Sequence, residues 1–457
     1  MLVSAFAPAT AALGQAGDPA YDQAFALAGK AYRYGLPLME VLRVRAEETS
    51  VPAPNRKGDA PVNTFSNAAV FARPQDRTVV APNVDTLYSI AQLDLGKGPI
   101  VLEHPNMGSR YFVFELLDPY TNVINYVGAR TTGAQAGRFA IAWTQKPGRS
   151  VRGVRTIRSA YRRVWVIGRT LAVDNAVDIA KAGALMRKYA LVPLSRLADP
   201  PAPPRVRPEV RPKKPIMPEG VAWFDALGEA LAANPPPPRD KPILDELASV
   251  SIGPGLRPSS AGLPQGTLDG LRDGFAKAKT QLPADARAQA LADAVKGGGW
   301  LLIPSNLGAY GVDYDFRAQI AVIGLGANTV AEATYPTALA DSTGALLDGN
   351  KAYRLVFPPG QTPPNRAFWS LTMYDIDGYL VPNAEHRYAI GTTHPPLVMR
   401  PDGSVVVAIS NARPTEPGVN WLPAPAGLFR LSLRIYWPKP AALNGAWAPP
   451  PIVLAGS

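Results

Sequence analysis

Proline stands at 49 of the 457 positions and glycine at 40. Each proline fixes φ and removes a backbone donor, so a chain this rich in it is expected to hold many turns and few long helices. Sheets are favoured over bundles. One stretch concentrates the effect: between Asp199 and Gly220 there are eight prolines, mixed with Arg and Lys. Such a composition reads as an extended, polyproline-like connector and not as core. The length itself calls for more than one core.

The patterning around the connector is uneven. From Asn63 to Arg169, β-branched and aromatic residues run between turn signals, and from Lys351 to Trp447 they do so again. The segment Phe429–Trp437 (FRLSLRIYW) alternates cleanly: Phe429, Leu431, Leu433, Ile435 and Trp437 on one face, Arg430, Ser432, Arg434 and Tyr436 on the other. Helical spacing is confined to Tyr21–Tyr34, with Gly35-Leu36-Pro37 as a stop, to Asp174–Leu191, to Val221–Asn234, and to Gly266–Val295, where Pro283 should split the pattern into two helices. The pattern predicts a β-rich α+β protein. Its parts are a leader remnant at 1–16, a β-rich domain at 17–198, the Pro-rich connector at 199–220, a helical segment at 221–300 and a second β-rich domain at 301–457.

Several blocks carry a family resemblance. PNVDTLYS (82–89), RYFVFELLDPYTNVINYVGARTTG (110–133) and VWVIGRT (164–170) resemble the bacterial domain of unknown function 1254. LGAYGVDYDFRA (307–318), PPNRAFWSLTMYD (363–375), HRYAIG (386–391), NWLPAP (420–425) and RIYWPKP (434–440) resemble its usual companion, domain of unknown function 1214. The resemblance implies two β-sandwich-like domains joined by a helical and Pro-rich middle segment, in a commonly exported protein. It implies no reaction and supplies no catalytic residues.

Candidate site residues therefore rest on local chemistry. Asp85 shares a strand face with Leu87, Ala91, Leu93 and Leu95, and Arg110 shares one with Phe112, Phe114 and Leu116. A charge on an apolar row must pair, reach out to water, or meet a ligand. If the two strands are neighbours, Asp85 and Arg110 can pair across the sheet end. Pro82 and Asn83 are turn residues, and Asp85 with Thr86 can close an Asx-type turn. Tyr88 lies on the other face. In the C-terminal block, Trp369, Leu371, Met373 and Asp375 alternate with Phe368, Ser370, Thr372 and Tyr374, and Asp377-Gly378 marks a hairpin.

Two functional readings stay open. In one, a cofactor-independent enzyme of hydrolase or lyase type uses Asp85 or Asp375 as acid/base, Tyr88 or Tyr374 as proton donor, and Arg110 or Arg434 as anion anchor. In the other, Arg110, Arg434, Tyr436 and Trp369 line a carbohydrate- or ligand-binding cleft that does no chemistry. The ligand in either case is a small polar or anionic molecule, and the oligomeric state is open, a homo-oligomer included. His386, beside Glu385, reads as a surface residue. His386 and His394 stand eight apart, and no HExxH, GxSxG, SxxK or P-loop string occurs, so neither a metal nor a nucleotide cofactor is expected. With no cysteine, disulfides, thiolate metal sites and a cysteine nucleophile are excluded.

Charge adds one anomaly. The net charge is +11, and no Asp or Glu occurs from Pro119 to Val173, where ten basic residues lie. No nucleic-acid reading module accompanies them, so a solvated basic face is expected. The N-terminal run MLVSAFAPATAALGQAGDPA is apolar and rich in small residues, which suggests the end of an export leader. No other segment approaches the ~18 apolar residues of a membrane span. Limited proteolysis should nick the chain first between Asp199 and Gly220. Mass spectrometry of the early fragments checks this, and a first cut inside residues 110–127 would contradict the boundary.

Overall fold

The computed structural model describes residues 18–77, 80–198, 217–394 and 397–455. The leader expected at 1–16 and the connector up to residue 216 lie outside the described residues. Among those described, the period-two segments become strands and pair into four sheets.

Two of the sheets make a first sandwich. Its five-stranded sheet runs in the spatial order Ser66–Ala68, Thr86–Asp94, Arg163–Leu171, Phe112–Leu117, Val123–Gly128, all antiparallel. Its four-stranded sheet runs Arg155–Ser159, Gly137–Trp143, Ile100–His104, Ala190–Pro193. Leu87, Leu93, Phe112, Phe114 and Val166 from the former share one core with Ile100, Leu102, Phe139 and Ile141 from the latter. Face-to-face packing of this kind is what alternating strands permit when each sheet has one apolar face.

The second sandwich is built in the same way. Strand Phe429–Pro438 is central in its larger sheet and pairs antiparallel with Asn365–Asp375, with Leu433 opposite Leu371 and Arg434 opposite Ser370. Leu371, Met373, Leu431, Leu433 and Ile435 pack on Leu355, Phe357, Val405, Val407 and Ile409 of the facing sheet. Trp369 is buried in that core against Phe357, 5.3 Å between ring centroids, and faces no cleft. The chain is thus a β-rich α+β protein with two sheet-rich regions and a helical middle.

The helices depart from the proline argument. The first runs Pro19–Glu48 with Pro37 inside it, and the sixth runs Gln265–Lys296, unbroken at Pro283. A proline costs a helix one hydrogen bond and a carbonyl clash, roughly 3 kcal/mol, which the packing of a 30-residue helix can offset. Gly35 is no stop signal. A Cβ there would lie 2.6 Å from the Leu227 side chain and 3.1 Å from that of Trp223, so glycine allows this close packing and a larger residue would displace them.

Contacts divide the chain into two compact units that do not follow its linear order. One unit takes the chain up to Met39 together with the stretch from the connector's end to Pro283. It is helical, with Tyr32, Trp223, Phe224 and Phe275 in its core, and the Tyr34 hydroxyl donates to the buried Asp240 carboxylate at 3.0 Å. The other unit holds everything else, and both sandwiches lie in it.

Within that second unit four of the ten basic residues of the strip meet acids from outside it, while Lys146, Arg149, Arg152, Arg155 and Arg158 stay exposed as a solvated face. Arg138 pairs with Glu103, Arg162 with Asp94, Arg130 with Glu332, and Arg169 with Glu115. The last pair is buried: Arg169 Nη1 donates to Glu115 Oε2 at 2.7 Å and to Asn328 Oδ1, and Nη2 donates to the Gly326 carbonyl. Glu115 Oε1 has no hydrogen-bond partner. Burial drives this carboxyl up to about 7 against the pull of Arg169, with the Glu332 charge adding to the rise. The folded state then holds a proton that the unfolded chain has already released, so this group removes stability as pH rises from about 4.5 to about 7. Urea unfolding of Glu115→Gln across that window should show a flatter dependence on pH than the parent. An equal slope would remove Glu115 as its source.

Candidate functional site

The polar face of strand Phe429–Pro438 does not face water, as its alternation suggested. Arg434 and Tyr436 are buried, and so are Ser370, Thr372 and Tyr374 on the neighbouring strand. This face of the second sandwich packs on the first, around the turn that precedes strand Thr86–Asp94. Asn83 makes that turn, its Oδ1 accepting from the backbone N–H of Asp85 (2.6 Å) and of Thr86 (3.2 Å). The Asx-type turn expected at Asp85 therefore belongs to Asn83. The Asn83 amide also donates to Tyr436 Oη at 2.7 Å. Freed from capping, the Asp85 side chain points across to the second sandwich.

Asp85 is fully buried. Ser370 Oγ donates to its Oδ2 at 2.7 Å, and His394 Nε2 lies 2.7 Å from its Oδ1. Burial alone would raise the carboxyl. The hydrogen bond from His394, the nearby Arg434 guanidinium and the Ser370 hydroxyl outweigh it and hold Asp85 below the usual carboxylate range. The carboxylate is thus ionised, His394 Nε2–H is its donor, and Nδ1 is the ring nitrogen left for a ligand.

Arg434 is the buried counter-charge. Its Nη1 donates to Thr372 Oγ1 (2.8 Å), and its Nη2 to the Ala81 carbonyl (2.9 Å) and Tyr374 Oη (2.6 Å). Tyr374 in turn donates to the Pro82 carbonyl at 2.6 Å. Both side chains are thereby committed to holding the 81–85 turn.

His394 opens onto a cavity of about 430 Å³. The first sandwich contributes Arg73, Val84 and Asp174 to its wall, and the 385–389 segment contributes the rest. Arg73 and Asp174 form a bidentate ion pair at 2.8 and 3.0 Å. Asn383 shapes the other wall: its Oδ1 accepts from Arg387 N–H and its amide donates to the Arg387 carbonyl, both at 3.0 Å. Among the described residues no three His, Asp or Glu side chains converge in the manner of a metal cage.

The structure brings Asp85, Tyr374, Arg434 and Tyr436 together and leaves the other candidates elsewhere. Arg110 does not meet Asp85, because strand Arg163–Leu171 lies between their strands. It forks onto Asp178 instead, at 2.6 and 2.8 Å, and the Arg110 hydrogen bond holds the Asp178 carboxyl down at about 2. Tyr88 lies by the Arg169 guanidinium and interacts electrostatically with Tyr436 and Tyr335. Asp375 accepts from Tyr379 N–H in the Asp377-Gly378 hairpin and pairs with the exposed Arg77 at 3.0 Å. His394 was missed: its only signal is that it is one of three histidines, and its partner lies 309 residues away. His386, read as a surface residue, is indeed exposed, at the rim of the cavity it helps line.

Fold and site define a two-sandwich protein with a buried Asp–His pair at one cavity. The family model described as "Protein of unknown function (DUF1254)" matches residues 62–193, and that described as "Protein of unknown function (DUF1214)" matches residues 332–440. The chain belongs with the two-domain proteins that carry both. Among solved structures it is similar to the VPA0106 protein from Vibrio parahaemolyticus, at 23% identity and a TM-score of 0.68, over 94% of this chain and 100% of that one. A putative uncharacterized protein from Burkholderia cenocepacia aligns at 12% identity and a TM-score of 0.44, over 95% and 94% of the two chains. No curated protein matches. Among the described residues no helix is long and apolar enough to cross a membrane.

Removing the buried cation should be costly. Arg434→Met leaves Asp85 without its counter-charge and Tyr374 and Thr372 without a donor, and should cost about 3–5 kcal/mol in urea unfolding. Arg77→Ala, which breaks an exposed pair, should cost no more than about 1 kcal/mol.

Proposed function

We propose that the cavity is the active site of an enzyme of lyase type, in which His394 removes a proton from a small polar or anionic substrate. The observation that carries this reading is the 2.7 Å contact between the cavity-lining His394 ring and the fully buried Asp85 carboxylate. A buried carboxylate on one ring nitrogen fixes the tautomer and stabilises the imidazolium that forms when the other nitrogen takes a proton. A lyase is favoured over a hydrolase with a serine nucleophile, because Ser370 gives its proton to Asp85 and is not aligned on His394. The cavity volume falls within the range of small-molecule sites, roughly 300–1,000 Å³.

A binding role without chemistry draws on the same wall, since the Arg73–Asp174 pair and Arg387 are polar recognition groups. Proton NMR in D₂O separates the two. With a panel of small β-oxygenated carboxylates, 3-hydroxybutyrate and a 4-linked galacturonate disaccharide among them, an enzyme should exchange the C–H beside the carboxylate. His394→Ala should slow that exchange by about 10²–10⁴-fold. Saturable binding without exchange would establish the binding role.

A further inference from the structure

The segment that closes the cavity places four functional side chains in a row, Glu385, His386, Arg387 and Tyr388, and all four line it. Such a run needs a special backbone. His386 adopts φ +50°, in the left-handed region that non-glycine residues seldom occupy. Its N–H is held by the Asn383 carbonyl at 3.1 Å, and the Asn383 side chain clamps Arg387 from both sides. Strain held in place by neighbouring hydrogen bonds at a cavity wall points to function.

The strained turn puts His386 Nδ1 3.5 Å from Tyr388 Oη. The contact is a weak one, so it orients the phenol without tying up its capacity to bond a molecule in the cavity. The Arg73 guanidinium, held chiefly by its hydrogen bonds to Asp174, also interacts electrostatically with the Tyr388 phenol. Tyr388 itself is buried. A phenol with an imidazole and a guanidinium beside it is placed to give its proton to a molecule in the cavity. Arg387 has one arm tied to the Trp421 carbonyl at 3.0 Å, which steadies the rest of its fork toward a carboxylate.

Resting on the lyase reading above, we propose that Tyr388 is the general acid of this site, that His386 positions it, and that the substrate is a carboxylate carrying an oxygen leaving group at the β carbon, a uronate being the type. His394 Nδ1 takes the proton from the carbon beside the carboxylate. The electron pair of that C–H bond becomes the C=C bond. The β C–O bond breaks with its electrons, and the departing oxygen takes the Tyr388 proton. The products are an unsaturated carboxylate and an alcohol, and solvent returns the proton from His394 to Tyr388. Arg387 offsets the second negative charge that builds on the carboxylate as the C–H bond breaks.

The two halves are separable with the 4-linked galacturonate disaccharide in D₂O, following exchange at C5 by NMR and the new C=C bond by ultraviolet absorbance. The full-length protein should show both. Tyr388→Phe should keep exchange within about threefold and lose elimination by about 10²-fold or more, and His394→Ala should lose both. His386→Gln gives a second test that leaves the phenol in place, and should slow elimination without slowing exchange. Elimination at the parent rate in Tyr388→Phe would overturn Tyr388 as the acid while leaving His394 as the base. Equal losses of exchange and elimination in His386→Gln would assign His386 to the scaffold and overturn its positioning role. Neither exchange nor elimination by the parent protein on this substrate would overturn the proposed substrate class.

Discussion

A carboxylate withdrawn wholly from water must be given its solvation back by the protein, and much of the second unit's interior answers that demand at Asp85. One oxygen takes a serine hydroxyl, the other an imidazole N–H, and a guanidinium supplies the charge. Taking an ion pair out of water costs several kcal/mol per ion unless such geometry returns it. Each donor requires others behind it. Arg434 needs Thr372, Tyr374 and the Ala81 carbonyl, Tyr374 needs the Pro82 carbonyl, and the turn that presents those carbonyls needs Asn83. Sheet register sets the outcome, because Ser370 and Arg434 are direct partners across two strands. A slip of one residue in either strand would turn its member of the pair into the apolar core.

The same arrangement explains how a rigid scaffold can carry a polar site. Asp85, Ser370 and Arg434 are buried and hydrogen-bonded, yet the ring they orient lies at a cavity edge. The other wall is a segment held by one asparagine. Precision comes from the sheets and chemical variety from the loop, the usual division of labour between scaffold and site.

Much of the fold was legible because strands announce themselves locally. The alternation in Phe429–Trp437 gave the core face from Phe429 to Ile435, with Trp437 left partly exposed, and Asp85 on an apolar row marked a buried charge. What the alternation could not say is what covers the polar face. Arg434 and Tyr436 look like solvent residues on a single strand and become buried only when a second sheet arrives. Partner choice was equally hidden. Arg110 goes to Asp178 because strand order, which no local pattern encodes, interposes a strand between it and Asp85. Proline was over-read: Pro37 and Pro283 sit inside helices whose length makes one lost bond tolerable. His394 has no sequence signature at all. Its meaning lies entirely in a contact 309 residues distant.

The bond between Asn83 and Tyr436 lies between residues of the two family domains, as do those of Asp85 with Ser370 and His394, and of Tyr111 with Glu332. The domains therefore share an interior. Neither sandwich is a cassette that recombination could hand to another gene intact, for each would arrive with a row of hydroxyls, a carboxylate or a guanidinium facing nothing. A lineage that changes one side of this seam has to change the other with it. The pairing of the two domains in one chain is, on these grounds, a physical necessity imposed by buried polarity.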